Sequence, residues 1–235
     1  MKEIFLEIIN DFDKSLIQYD RYKFILTGIK NTLLISFFSV LLGVIIGTIV
    51  AMIIAYNKES RKLKILAKLS KLYVVIIRGT PVLLQLMIMY YVIFRNARNI
   101  NLIFVGSLTF GINSGAYVSE IIRAGLESID KGQMEAGRSL GLNYLKTMKL
   151  IILPQAIKNI LPAIGNEFVT LIKETSVAGY IGIRDLTKAS DIIASRTYDY
   201  FFPLIIAATI YLILVLGMSK ILKIFERKLA KNDRN

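Results

Sequence analysis

Long apolar runs separated by charged segments dominate this chain. Five runs approach the roughly 20 mainly apolar residues that an α-helix needs to cross a bilayer. They cover about 24–56, 72–94, 101–122, 160–181 and 201–222. The fourth run is the weakest, because Glu167, Lys173 and Glu174 lie within it. The pattern predicts an all-α integral membrane protein with five transmembrane helices.

Polar segments divide the chain into three predicted regions. Residues 1–23 carry apolar side chains at helical spacing, which is typical of an external amphipathic helix at a membrane interface, with an irregular segment as the alternative. Residues 24–222 form the predicted transmembrane domain, and residues 223–235 form a basic tail. An internal polar segment at about 123–158 is far longer than an ordinary connection between helices. It should therefore have a structure of its own.

The distribution of Lys and Arg predicts the orientation of the chain in the membrane. The polar segments on the side of the C-terminus hold about twice as many of these cations as the segments on the side of the N-terminus. Since cytoplasmic loops carry the excess of positive charge, we expect the N-terminus outside and the C-terminus inside. The first apolar run is too long for the core of a signal peptide, so we expect it to stay attached.

Composition excludes several kinds of chemistry. The chain is 54% hydrophobic, with a mean hydropathy of +0.56, a formal charge of +13 and neither His nor Cys. Without those two residue types there are no zinc sites of the usual kind, no thiol or imidazole nucleophiles and no disulfides. On a chain this apolar, the positive charge indicates anionic lipid as a neighbour rather than nucleic acid. The chain is expected to bind, move or couple rather than catalyse.

Small residues recur every four positions in the first predicted span. They are Gly43, Gly47, Ala51 and Ala55. Side chains this small allow the backbone of a second helix to come close. The spacing therefore predicts a tight helix crossing along this face.

The internal polar segment contains the signals of two short helices. Asp130 can cap a helix that continues to Leu140, and Gly141 stands where a left-handed C-terminal cap belongs. A second amphipathic stretch covers about 144–152, and Pro154 either ends it or opens the next helix. Two helices joined at a glycine suit insertion into a groove of another protein. The alternative is a surface loop lying on lipid headgroups.

Four segments of the chain, taken in order, resemble one family. Arg78–Leu86 resembles an RGTP-x-L-x-QL segment, and Ala116–Gly125 resembles AY-x-x-E-x-x-R-x-G. Glu135–Gly137 with the later Leu140-Gly141 and Ile151–Pro154 resembles the EAA motif, with Gly137 in the place of its last alanine. Lys173–Ser176 resembles K-[DE]-[TS]-S. Together these segments resemble the ABC importer permeases of the polar amino-acid uptake family, of the histidine, glutamine and arginine type.

The resemblance implies a role for the internal segment as the coupling helices that dock on a separate ATP-binding subunit. The chain itself has no G-x4-GK-[ST] phosphate-binding loop, so no nucleotide site of that type is expected on it. ATP and Mg²⁺ would belong to the partner, and this chain would bind no cofactor or metal and would not be an enzyme. The coupling residues implied are Glu135, Ala136, Gly137, Leu140, Gly141, Leu153 and Pro154.

The resemblance also implies the function and the other partners. The chain would be the transmembrane subunit of an ATP-driven importer that moves polar amino acids across the cytoplasmic membrane of a prokaryote by alternating access. It would work with two ATP-binding subunits, a second permease chain (most simply in a homodimer, otherwise in a heterodimer) and an external solute-binding protein near Arg95 and Asp185. The alternatives are a permease for another small solute, such as methionine or an osmolyte, and an ion-gradient-driven secondary transporter.

Ionisable groups inside the predicted spans are functional candidates, because a charge in a bilayer is costly unless it is paired or faces water. Arg78 and Glu120 are expected to pair, unless Arg78 instead binds carbonyls freed by a helix break at Gly79–Pro81, and they are assigned structural roles together with Lys173. A direct part of Arg78 and Glu120 in substrate passage is the alternative. Glu167 is the candidate acceptor for a substrate ammonium group, with Asn113 and Gln85 as donors to the substrate carboxylate. A structural role for Glu167, paired with Lys173 or with the second permease chain, is the alternative.

Overall fold

The computed structural model describes residues 2–97 and 99–231, with the backbone alone at residues 2–8, 59 and 229–231. Its helices are α1 (Lys2–Leu16), α2 (Tyr22–Ser60), α3 (Lys64–Arg78), α4 (Val82–Ile88), α5 (Leu102–Glu127), α6 (Lys131–Ser139), α7 (Tyr144–Thr147), α8 (Leu153–Glu174), α9 (Leu186–Thr197) and α10 (Phe201–Lys231). Turns of π-helix cover Met89–Ile93 and Met148–Ile152, and 3-10 turns cover Gln18–Asp20 and Thr175–Ile181. No strand occurs in the described residues, so the all-α prediction is confirmed.

Three of the described helical segments are long and apolar enough to cross a membrane. They are Gln18–Lys58, Leu102–Glu127 and Phe201–Lys228, which contain the predicted first, third and fifth spans. Helices α3 and α4 together give a possible fourth crossing, broken in the middle. The predicted span at 160–181 is divided between α8 and the following 3-10 turn. The membrane fold holds, whereas the number of five crossings stays a prediction.

The break between α3 and α4 lies at Gly79–Pro81, where the sequence has a proline inside the predicted second span. Pro81 has no N–H group, and its ring disfavours helical geometry at Thr80. The N–H of Gly79 closes the last turn of α3 by donating to the carbonyl of Val75 at 2.9 Å. The chain therefore ends one helix and starts another within the predicted second span.

The first of two compact units is built from the described residues of Met1–Ser39, Val82–Phe110 and Val169–Met218. Its core contains Ile25, Leu186, Ala189, Ile193 and Ala207. The predicted N-terminal helix is present as α1, although the side chains of its first residues lie outside the description. Within this unit α1 packs on α9, and the hydroxyl of Ser15 donates to Asp199 at 3.3 Å.

The second unit is built from the described residues of Val40–Pro81, Gly111–Phe168 and Ser219–Asn235. Ala51, Val118, Ile122, Ala156 and Ile160 form its core. Helix α5 crosses α2 along the small-residue stripe predicted from the sequence. A Cβ built on Gly43 would lie 2.7 Å from the Ser114 hydroxyl oxygen, and one on Gly47 would lie 2.7 Å from Val118. The predicted close helix approach is confirmed.

Candidate functional site

The predicted coupling helices form as expected around Gly141. The Asp130 side chain caps α6 by accepting from the N–H of Gly132 at 2.7 Å. At the other end Gly141 adopts a left-handed conformation, with φ of +82°. Its N–H donates to Arg138, and the N–H of Leu142 donates to Gly137 at 3.2 Å. This pair of bonds is a Schellman cap, which fixes the direction in which the chain leaves α6.

Helix α7 and the π-turn after it lead into α8, so the second predicted helix continues into a longer one. The Asn143 side chain caps α7 by accepting from the N–H of Lys146 at 2.9 Å. Pro154 is the second residue of α8. Proline therefore does not end this stretch: it lies in the first turn of α8, and the helical conformation is continuous from the π-turn through Leu153.

The packing around Gly137 explains why the chain has glycine where the EAA motif has its last alanine. It is buried where α6 meets α7 and the π-turn, and a Cβ at this position would lie 2.5 Å from Cγ2 of Thr147 and 3.1 Å from Cδ1 of Ile151. Thr147 is fully buried and its hydroxyl donates to the carbonyl of Asn143, so its methyl group has little freedom to move. A glycine here lets the two short helices touch.

Replacing Gly137 with alanine should loosen α6. Overpacking costs about 1–3 kcal/mol, which outweighs the roughly 1 kcal/mol by which alanine favours a helix. Amide hydrogen exchange across α6 should therefore become faster in Gly137→Ala. In the double variant Gly137→Ala/Thr147→Ser the colliding methyl group is gone, so exchange should be as slow as in the native chain or slower. Equal exchange rates in the single and double variants would contradict this packing argument.

The residues expected to contact the ATP-binding subunit are mostly accessible. Glu135 and Ala136 lie on the exposed side of α6, and Leu140 is 81% exposed at its end. Leu153 and Pro154 are exposed at the start of α8. An apolar side chain as exposed as Leu140, fixed beside a rigid cap, has the form of an interface contact. The coupling role of these residues stays a prediction.

Glu167 lies on α8 within the second unit, where it meets α5. Its carboxylate accepts a hydrogen bond of 2.8 Å from the hydroxyl of Ser114. Ser114 is fully buried, so the carboxylate is bound to a buried polar group of α5, and the adjacent Asn113 on the same helix is 3% exposed. This arrangement can hold a carboxylate at a helix crossing and leaves oxygen lone pairs for an ammonium donor.

The residues assigned to the substrate pathway are divided between the two units. Gln85 is half-buried on α4, in the first unit, while Asn113 and Glu167 belong to the second. Lys173 is exposed near the end of α8. The roles assigned to Gln85, Asn113, Glu167 and Lys173 stay predictions.

Arg78 and Glu120 lie close together, with Nη1 of the arginine 3.3 Å from Oε2 of the glutamate. The guanidinium also lies over the ring of Tyr117, 5.3 Å from its centroid. Arg123 binds Glu120 through two nitrogens, at 2.8 and 3.2 Å, and reaches Glu127 at 2.6 Å. The structural role expected of Arg78 and Glu120 is compatible with this network, and Arg123 is its central member.

Two members of these sites, Ser114 and Arg123, are not among the residues predicted from the sequence. A serine in an apolar helix has no distinctive pattern, so nothing in the sequence distinguishes Ser114 as the donor to Glu167. The sequence does contain a signal for Arg123, because its spacing from Glu120 (i, i+3) and Glu127 (i, i+4) places all three on one helix face. Arg123 could therefore have been predicted from the sequence, whereas Ser114 could not.

Asp185 is buried as the cap of α9 rather than exposed for a binding protein. Its carboxylate accepts from the N–H groups of Thr187 and Lys188, at 2.9 and 3.4 Å. The hydroxyl of Tyr211 lies 3.5 Å away. Burial raises the pKa of Asp185 to about 6, although the backbone hydrogen bonds favour its charged form. Any external contact near this position must therefore use its neighbours.

The raised pKa predicts a pH dependence of stability. The folded chain holds the Asp185 proton more tightly than the unfolded chain, whose ordinary aspartate pKa is near 3.8. Stability should therefore fall as the pH rises from about 4 to about 6, by on the order of 2 kcal/mol, and this contribution should level off above that. When thermal unfolding is measured in detergent at several pH values, the thermal midpoint should depend less steeply on pH in Asp185→Asn than in the native chain. Asparagine is used because it retains a capping side chain. The same pH dependence in both proteins would contradict the raised pKa of Asp185.

Comparison with known proteins gives a consistent result. Residues 40–231 match the family described as "Binding-protein-dependent transport system inner membrane component". A Rickettsia typhi protein named "Putative glutamine transport system permease protein GlnP" is 43% identical over 91% of this chain and 96% of that protein. The "Arginine transport system permease protein ArtQ" of Bacillus subtilis is 42% identical over 89% of this chain and 94% of its own length.

A solved structure supports the same assignment. The chain is similar to one described as "Crystal structure of an amino acid ABC transporter with histidines", with a TM-score of 0.81 and 43% identity. The match covers 88% of this chain and 94% of the solved one. Family membership implies an ATP-binding subunit and a substrate-binding protein as partners, and it places the chain in the inner membrane with several crossings. The chain belongs to the family of binding-protein-dependent transport system inner membrane components, the permease subunits of ABC transporters.

Proposed function

We propose that this chain is the transmembrane subunit of an ATP-driven importer of polar amino acids. The single observation that carries the proposal is the α6–α7 segment, whose capped helix α6 presents Glu135 and Leu140 at the surface. The sequence contains no phosphate-binding loop of its own, so this segment is where energy from a partner's ATP hydrolysis would enter. Amino acids are the proposed substrates because the relatives above are named for glutamine and arginine transport.

The proposed assembly contains two copies of this chain and two ATP-binding subunits, with α6 and α7 on the cytoplasmic side. In this arrangement the C-terminus is inside and the N-terminus outside, as the excess of basic residues suggests. Closure of the ATP-binding subunits would move the two coupling segments towards each other. Because the Schellman cap makes α6 and the following chain rigid, this displacement would be passed to α8 and open the pathway outwards.

Glu167 is the proposed acceptor for the ammonium or cationic side chain of the substrate. In this role Glu167→Gln should raise the apparent KM for a cationic amino acid about tenfold, because a charge-assisted hydrogen bond contributes about 1.5–3 kcal/mol. Ser114→Ala is the matched control, because it removes the donor to Glu167 and leaves the carboxylate in place. Uptake kinetics in proteoliposomes measure both. If Glu167→Gln leaves the KM unchanged, the carboxylate has only a structural role.

The test of the proposed function is to co-purify the chain with its ATP-binding subunit in lipid and to add the loaded binding protein. Arginine, histidine and glutamine should stimulate ATP turnover, whereas methionine and betaine should not. Stimulation by methionine or betaine alone would replace the proposed substrate class by another small solute. Failure of the two subunits to associate would overturn the coupling proposal.

A further inference from the structure

An open pocket of about 540 Å³ lies in the second unit, where the ends of α2 and α5 meet α3. It is separate from the coupling segment and from Glu167. Helix α2 contributes Ile54, Asn57 and Lys58, helix α3 contributes Lys71, Val74 and Val75, and helix α5 contributes Glu120, Arg123 and Glu127. The pocket therefore combines an apolar wall with a charged rim near the ends of two predicted spans.

The acidic groups of this pocket are already neutralised by neighbours. Glu120 is bound by Arg78 and Arg123, and Glu127 is bound by Arg123 and by Lys58 at 3.5 Å. Among the residues whose side chains the structure describes, three cations thus face two carboxylates, which leaves one positive charge. Lys71 is exposed and forms no ion pair in the part of the chain that the structure describes, so it adds a second. The rim consequently attracts an anion.

Asn57 identifies a second requirement of the ligand. Its side-chain oxygen is buried and has no hydrogen-bond partner among the described residues. A buried acceptor without a donor lowers stability by about 1–3 kcal/mol, and buried polar groups in folded proteins usually have a hydrogen-bond partner. A bound ligand can supply the donor that this oxygen lacks. A ligand that carries a hydroxyl group close to its anionic group would satisfy this oxygen and the cationic rim together.

The surface beside the pocket indicates what else the ligand carries. Leu72, Val75 and Ile76 are exposed along α3, next to the pocket wall formed by Val74 and Val75. Apolar side chains in this position suit acyl chains rather than water. Basic pockets between helices near a membrane surface are suited to anionic lipid headgroups. A free anion would use the rim and leave this apolar face unoccupied.

We infer that this pocket binds the headgroup of an anionic glycerophospholipid with a hydroxylated headgroup, of the phosphatidylglycerol type. The phosphate lies among Lys58, Lys71 and Arg123, the headgroup hydroxyl donates to Asn57, and the acyl chains follow α3. The inference depends on the helix ends lying at a membrane interface and holds for either leaflet. It is therefore independent of the proposed transport function.

Native mass spectrometry of the delipidated full-length chain tests the site. Phosphatidylglycerol is titrated against phosphatidylcholine, against phosphatidylmethanol (which has the same charge without the hydroxyl groups) and in competition with inorganic phosphate. Lys71→Gln should weaken phosphatidylglycerol binding about fivefold, the effect of one cation near a lipid surface. Lys68→Gln is the matched control, because Lys68 is also exposed on α3 but does not line the pocket. It should have less than a twofold effect.

Asn57→Leu separates the two requirements of the site. This change should lower the affinity for phosphatidylglycerol to that for phosphatidylmethanol and leave phosphatidylmethanol binding unchanged. Equal losses in Lys68→Gln and Lys71→Gln would reduce the site to a diffuse basic belt and overturn the inference. Displacement of phosphatidylglycerol by millimolar phosphate would identify a soluble-anion site instead, and equal binding of phosphatidylcholine would show that the rim selects no anion. Either result would also overturn it.

Discussion

Replacing Leu140 with aspartate should abolish binding of the ATP-binding subunit while the fold of the chain stays intact. Leu140 is 81% exposed, so the chain itself loses almost no packing when the side chain changes. In an interface a buried leucine contributes about 1.5–3 kcal/mol, and a buried aspartate without a partner adds a further cost. The affinity of the two subunits should fall at least about 100-fold. Co-purification and a binding titration in detergent measure the loss.

Leu140→Met is the matched control for this experiment. Methionine keeps the volume and the apolar character of the side chain, so subunit binding should change by less than about tenfold. Thermal unfolding of the isolated chain should be the same in both variants. If Leu140→Asp bound the ATP-binding subunit as tightly as the native chain, α6 would not be the docking element and the coupling role of this segment would be wrong.

The second large effect is expected at the crossing of α2 and α5. A single Cβ on Gly47 would already lie 2.7 Å from Val118 and 2.9 Å from the carbonyl oxygen of Gly115. Gly47→Leu adds four carbon atoms at this point, so the helices must separate, at a cost of more than about 3 kcal/mol. A large drop in the thermal midpoint and in the yield of monodisperse protein should result. Fluorescence-detected gel filtration after heating measures both.

Gly217→Leu provides the comparison for the same substitution. Gly217 also lies within a long apolar helix, but apart from its chain neighbours and the adjacent helix backbone, no described atom lies within 4 Å of a Cβ at this position. Leucine also favours a helix by up to about 1 kcal/mol over glycine, so stability should be unchanged or slightly higher. Similar losses in Gly47→Leu and Gly217→Leu would show that close packing at α2 and α5 is not what makes Gly47 necessary.

Much of the fold could be predicted from local sequence signals. The apolar runs, the Pro81 break and the cap at Gly141 each depend on residues within a few positions of one another, so the sequence shows them directly. The small-residue stripe predicted that some helix would come close to α2. It could not identify α5 as that helix, because the choice depends on the packing of the whole unit.

The candidate sites could be predicted only in part, for a similar reason. Glu167 stands out as a charge in an apolar run, whereas its donor Ser114 is 53 positions earlier and looks like any small polar residue. The glycine at position 137 looked like a mild departure from a motif. Only the contact with Thr147 across the turn shows why an alanine does not fit. Contacts between elements that are distant in sequence account for most of what was missed.

Uptake into proteoliposomes with all ion gradients dissipated tests the central claim most directly. The vesicles contain this chain with or without its ATP-binding subunit, and the binding protein and a labelled amino acid are supplied at the external face. We expect accumulation against the concentration gradient only when both the ATP-binding subunit and ATP are present. Uphill accumulation by this chain alone, without ATP, would contradict the proposal that its energy comes from a partner through α6 and α7.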